Sequence, residues 1–118
     1  MEDKKKQPKI LVVDDAPANL MVLESILTDD YSLKLFKDSS EALEYACANP
    51  PDLILLDIMM PKIDGFEFCR RLKAKPELAD VPVVFITSKT DVADEEKGFA
   101  VGASDFIHKP IKIGRAHV

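Results

Sequence analysis

Short, unbroken apolar runs set the rhythm of this chain. Ile10-Leu11-Val12-Val13, Leu53-Ile54-Leu55-Leu56, Val83-Val84-Phe85-Ile86 and Phe106-Ile107-His108 lack the polar alternation of a half-solvated sheet. Runs of this length, rich in Val, Ile and Leu, read as strands covered on both faces of a parallel sheet. Leu33-Lys34-Leu35-Phe36 supplies one more short strand. Between the strands the apolar spacing changes from continuous to helical. Leu20, Leu23, Ile26 and Leu27 mark a first helix, with Asp15 or Ala16 at its cap and Pro17 in its first turn, where a missing N–H costs little. Asp38 stands three residues before Glu41 and opens a second helix through Ala42, Leu43 and Ala46, which Asn49-Pro50-Pro51 stops.

A third helix carries Phe66, Phe68, Cys69 and Leu72, after a loop whose Pro61 and Gly65 imply a fixed turn. Residues 91–101 read as a polar fourth helix, with Val92, Phe99 and Val101 as its few apolar contacts and Gly102 at its end. Strands alternating with helices at this spacing imply right-handed crossovers and helices on both faces of the sheet. The fold class expected is α/β, a doubly wound five-stranded parallel sheet in the flavodoxin-like order 2-1-3-4-5. That order sets the first and third strands side by side at the topological switch point, where such sheets bind ligands.

Composition removes several function classes. A chain of 118 residues with 47 % hydrophobic content has room for one domain. A formal charge of −5 argues against a nucleic-acid or anionic-membrane surface. Lys4-Lys5-Lys6 is locally basic but reads as a frayed terminus. No apolar stretch approaches the ~18 residues of a membrane span and no secretory apolar segment follows the lysines, so the expected location is cytoplasmic. Cys47 and Cys69 lie in separate helices without a CxxC pattern, and His108 and His117 lack zinc spacing, which argues against a nitrogen- or sulfur-held metal.

The apolar runs end in residues suited to phosphoryl chemistry: Asp14-Asp15, Asp57, Thr87-Ser88 and Lys109-Pro110. In a parallel sheet these ends share one edge. Taken singly, each group has an ordinary explanation, an acidic turn, a helix cap or a loop. Together they describe a site. Three clustered carboxylates repel and favour a hard cation, for which Mg²⁺ is the fitting choice. Asp15 and Asp57 are expected as direct ligands, Asp14 as acting mainly through bound water, and the backbone carbonyl of Met59 as a third protein ligand. Asp57 ends a central strand with a rigid loop immediately after it, which makes it the expected nucleophile and phosphoacceptor. Lys109 and the Thr87 hydroxyl would neutralise phosphoryl oxygens.

At these residues the chain resembles the receiver domain of two-component response regulators. The resemblance covers Ile10-Leu11-Val12-Val13-Asp14-Asp15 and residues 51–65, 83–88 and 102–110, which together make a highly specific set. It implies transfer of a phosphoryl group from a histidine kinase, or a phosphotransfer domain, to Asp57 with Mg²⁺. It implies self-catalysed dephosphorylation but no enzyme in the ordinary sense. Thr87 and Phe106 would form the switch, and Met59 and Lys89 would tune dephosphorylation. Met59 cannot orient a water through a hydrogen bond, so a moderate to long phosphoryl lifetime is expected. The face of the fourth helix, fifth strand and fifth helix would serve for output, for a homodimer or for an attached or separate output domain. Residues 94–107 look similar to receivers joined to cyclic-di-GMP enzymes or hybrid sensor kinases.

The expected organisation is a flexible tail over residues 1–8, the receiver over 9–112 and a non-native tail over 113–118. The closing Ile-Gly-Arg-Ala-His-Val reads as a translated sequencing adapter, so the fifth helix is expected to be truncated and the sheet partly uncovered. Two other functions share parts of the pattern. A Mg²⁺-dependent phosphohydrolase with an Asp nucleophile usually has a second acid two residues later, where this chain has Met59. A receiver used only as a non-phosphorylated interaction domain would not need all five key residues. A nucleotide site needs a GxGxxG or GxxxxGK[ST] loop, and neither occurs.

Overall fold

A computed structural model describes residues 7–87 and 92–109, with the side chains of the fourth helix from Asp94 onward. The elements run β1 (Lys9–Val13), α1 (Pro17–Leu27), β2 (Ser32–Phe36), α2 (Ser39–Ala48), β3 (Leu53–Asp57), α3 (Gly65–Lys73), a 3-10 turn (Pro76–Leu78), β4 (Val83–Thr87), α4 (Val92–Ala100) and β5 (Asp105–His108). All strand pairs are parallel and the order is β2-β1-β3-β4-β5. Lys89 and the expected truncation of the fifth helix lie outside the described residues.

Local chemistry explains the helix starts. Pro17 sits in the first turn of α1 behind Ala16, which offers no side-chain cap. The Asp38 carboxylate accepts from the Glu41 N–H at 3.0 Å, and Asp64 does the same for Glu67 at 2.9 Å, so α2 and α3 each begin on an aspartate side-chain cap. The loop from Ile58 to Gly65 is closed by the Gly65 N–H donating to the Ile58 carbonyl at 2.8 Å. Within it Lys62 takes φ +68°, a left-handed conformation unusual for lysine, while its ammonium pairs with Asp38 at 2.7 Å.

Strand pleating sends alternate side chains to opposite faces, and two apolar clusters result. Leu11, Val13, Ile54, Leu56, Val83 and Phe85 face α2, α3 and the end of α4, where Phe68, Cys69 and Leu72 are buried. Ile10, Val12, Leu55 and Ile86 face α1 through Leu20 and Leu23. β1, β3 and β4 are thus covered on both sides, as their apolar runs predict. β5 differs. It is an edge strand, largely exposed, and Ile107 retains 43 % of its accessible surface. Beside α1 an apolar groove of about 530 Å³ runs over Leu53, Val84 and Ile107, with Ile26 and Leu27 on its helical wall. Those two α1 residues are consequently only half-buried. Phe99, expected as a core contact of α4, is 50 % exposed and packs on Phe106 in a T-shaped arrangement.

Candidate functional site

The site is assembled at the carboxyl edge of the sheet by register. Val13 pairs with Leu56, so the next residues along the two strands, Asp14 and Asp57, leave the sheet together. Their carboxylate oxygens and that of Asp15 lie within 4.8 Å of one another. Asp14 and Asp57 are buried, whereas Asp15 faces solvent. On the other side, Asp57 pairs with Ile86, which places buried Thr87 one step beyond it on β4. The backbone N–H of Lys109 donates to the Thr87 carbonyl at 2.8 Å and continues the ladder past β5. Its ammonium then reaches back across β4 to lie 3.4 Å from both Asp57 Oδ1 and Asp14 Oδ2. Residues separated by up to 95 positions therefore share one small volume, with Asp14 and Lys109 at the extremes.

The electrostatics follow from crowding. Burial pushes the Asp57 carboxyl up to about 6, helped by the charge of Asp14 and more weakly by Asp15, while Lys109 pulls in the opposite direction. One ammonium is insufficient against two neighbouring carboxylates and a partly dry site. The donor set is entirely oxygen and anionic, which fits a hard divalent cation and disfavours a soft one.

Asp14 is held differently from its neighbours. Its Oδ1 accepts from the Ala16 N–H at 2.9 Å and its Oδ2 from the Asn19 amide at 3.1 Å. Both oxygens are already engaged by protein, which suits a carboxylate that meets a cation through water. Asn19 is the site residue that sequence reading missed. Its signal is the spacing of five from Asp14 in the first turn of a Pro-started helix, which turns a side chain back toward the strand end.

Phe106 lies on β5 opposite Phe85, and Thr87 follows two residues later on the same face of β4. Its ring is half-buried. Met59 stands two residues beyond Asp57 with its side chain 59 % exposed, in no position to contribute to the core.

Comparison with known proteins accords with this geometry. The family model for the response regulator receiver domain matches residues 10–117. Response regulator PleD of Caulobacter vibrioides is 47 % identical over 104 residues, which are 87 % of this chain and 23 % of PleD. A Vibrio cholerae protein named a probable cyclic di-GMP phosphodiesterase is 40 % identical over 113 residues, 96 % of this chain and 25 % of that protein. The crystal structure of the Vibrio cholerae chemotaxis protein CheY4 superposes with a TM-score of 0.86 at 30 % identity, covering 90 % of this chain and 89 % of CheY4. The chain belongs to the response regulator receiver domain family, the phosphoacceptor module of two-component signalling. It spans about a quarter of the length of these two curated relatives. Among the described residues, no helix is long and apolar enough to cross a membrane.

Proposed function

We propose that Asp57 accepts a phosphoryl group from the phosphohistidine of a histidine kinase or phosphotransfer domain. The convergence of Asp14, Asp15 and Asp57, with Lys109 3.4 Å from two of them, is the observation that carries this reading. An Asp57 oxygen attacks phosphorus, the P–N bond breaks, and the imidazole leaves with the bonding pair and takes up a proton from solvent. Lys109 and the Thr87 hydroxyl bind oxygens of the transferred group, whose charge is spread over all three in the transition state. Asp15, Asp57 and the Met59 carbonyl would hold Mg²⁺ directly, and Asp14 through water. When bound, the ion offsets carboxylate charge and polarises a phosphoryl oxygen. Near pH 6 the metal-free carboxyl of Asp57 is divided between its acid and its carboxylate, so protons compete with the cation for this site in acid solution.

Occupancy then biases a switch. A dianionic group offers Thr87 a charge-assisted hydrogen bond that exists only when the site is filled. Movement of the Thr87 hydroxyl toward it frees space beside β4 for Phe106, and the α4–β5 face changes shape. That face would serve a homodimer or an attached or separate output domain. Met59 and Lys89 would set the phosphoryl lifetime, with Met59 unable to direct a water for hydrolysis. The setting fitting this chemistry is the cytoplasm, where kinases meet their donors.

The test is titration with beryllofluoride, a phosphoryl mimic, in the presence of Mg²⁺. Saturable binding by the parent chain and none by Asp57→Asn is the expected result. Equal binding by both would refute Asp57 as the acceptor.

A further inference from the structure

A glycine stands in the last turn of α4, where alanine would make a more stable helix. Gly98 is buried. A Cβ at this position would overlap Cζ of Phe106 and lie 3.1 Å from its Cε1 and 3.2 Å from Cε2 of Phe85. The Phe106 ring therefore rests directly on the helix backbone. It is held on one side by Phe85, with centroids 5.4 Å apart, and on the other by the edge of Phe99 at 5.2 Å. The Gly98 carbonyl also accepts from the Ala103 N–H at 3.0 Å, which ties this helical turn to the segment leading into β5. One residue thus touches both the ring and the backbone of the element that carries it.

We propose that Gly98 is a positioning residue for the aromatic switch: its missing side chain forms the seat on which the Phe106 ring rests, so that closing the seat shifts the ring between its arrangements and, through them, the occupancy of Asp57. The inference rests on the receiver reading and names how that site is regulated. A methyl group at 98 fills the seat. The obstacle it meets is Cζ, the far end of a side chain that lies on the ring's own axis, so the strain is relieved by a swing of the whole Phe106 side chain about χ1 and α4 stays helical. Coupling is reciprocal: if occupancy of Asp57 shifts the ring between arrangements, a change that disallows one of them must shift the affinity for occupancy by the same factor. Gly98→Ala therefore acts on Asp57 from the opposite side of β4 without touching it.

The experiment uses the full chain labelled with 4-fluorophenylalanine, the ¹⁹F resonance of position 106 being assigned with Phe106→Leu. Parent, Gly98→Ala, Phe106→Ala and the double variant are titrated with beryllofluoride at saturating Mg²⁺. Gly98→Ala is expected to move the Phe106 resonance before any ligand is added and to change beryllofluoride affinity about tenfold, within the usual range of such couplings. In the Phe106→Ala background, which empties the seat, the added methyl should change affinity less than twofold. Binding by Gly98→Ala within twofold of the parent, or an equal change in the Phe106→Ala background, overturns the proposal while leaving the receiver reading intact. A parent chain that takes up no beryllofluoride overturns the receiver reading instead, and the coupling to Asp57 falls with it.

Discussion

Asp57→Asn should stabilise the metal-free protein at neutral pH. Burial and the neighbouring Asp14 raise the Asp57 carboxyl from 3.8 to about 6 in the folded chain, so folding must force a charge into a site that resists it. Below pH ~4 the carboxyl is protonated in both states and contributes no difference. Between pH ~4 and ~6 the folded state holds a proton that the unfolded state has lost, so stability falls as pH rises through this window. Above it the loss is complete. A gap of about two pH units corresponds to roughly 3 kcal/mol, at ~1.4 kcal/mol per unit. Asparagine keeps the shape and removes the charge. Urea denaturation in EDTA at pH 7.5 should therefore find Asp57→Asn more stable by roughly 3 kcal/mol, a difference that vanishes on acidification to pH ~3.5. Mg²⁺ should close most of that gap at a hundred times its dissociation constant, where it adds about 2.7 kcal/mol to the parent alone, and reverse the order at a thousand times, where it adds about 4.1 kcal/mol. An Asn variant no more stable than the parent at pH 7.5, or a difference that ignores pH, would refute the electrostatic reasoning.

Three further outcomes follow from the same geometry. Gly65→Ala places a Cβ against the Asp57 carbonyl, 2.8 Å from Ile58 Cα and 2.9 Å from Phe85 Cε1. Because backbone cannot yield as a side-chain tip can, a loss of about 1–3 kcal/mol is expected in urea denaturation, with weaker Mg²⁺ binding. Asn19→Ala removes the donor to Asp14 Oδ2 and should lower Mg²⁺ affinity about tenfold in calorimetry, while Asp57 remains competent at saturating ion. The Cys69 thiol, pushed up to about 11 by burial, should resist labelling at pH 8, whereas half-buried Cys47 reacts; two fast thiols in the native chain would contradict the packing of α3.

The strands, their order and the identities of the converging residues were legible in the chain. Unbroken apolar runs at β1, β3 and β4 need cover on both faces, and only a parallel sheet with helices on each side supplies it. The polar residues ending those runs then had to share an edge. Asp38 and Pro17 announced their helices through local hydrogen bonding, which needs no distant partner. What escaped was of another kind. Asn19 looked like any polar residue in a first turn, and its role exists only because Asp14 leaves the sheet beside it. Gly98 carries no signal of its own in a polar helix, and its fit is visible only against a ring on a strand that comes later.

Exposure at the sheet edge was equally hidden. Phe106-Ile107-His108 has nearly the composition of a buried strand, yet β5 pairs on one side only and is largely solvated. Local patterns report what each segment requires of its surroundings, through period, capping and turn chemistry. Which surroundings it receives depends on contacts between residues tens of positions apart. The sequence alone therefore determined the elements, their order and the chemistry available at their ends. Tertiary structure decided which carboxylate was crowded enough to resist ionisation, which amide steadied another and which glycine left room for a ring. Those properties belong to distances between side chains, and such distances arise only when the sheet closes.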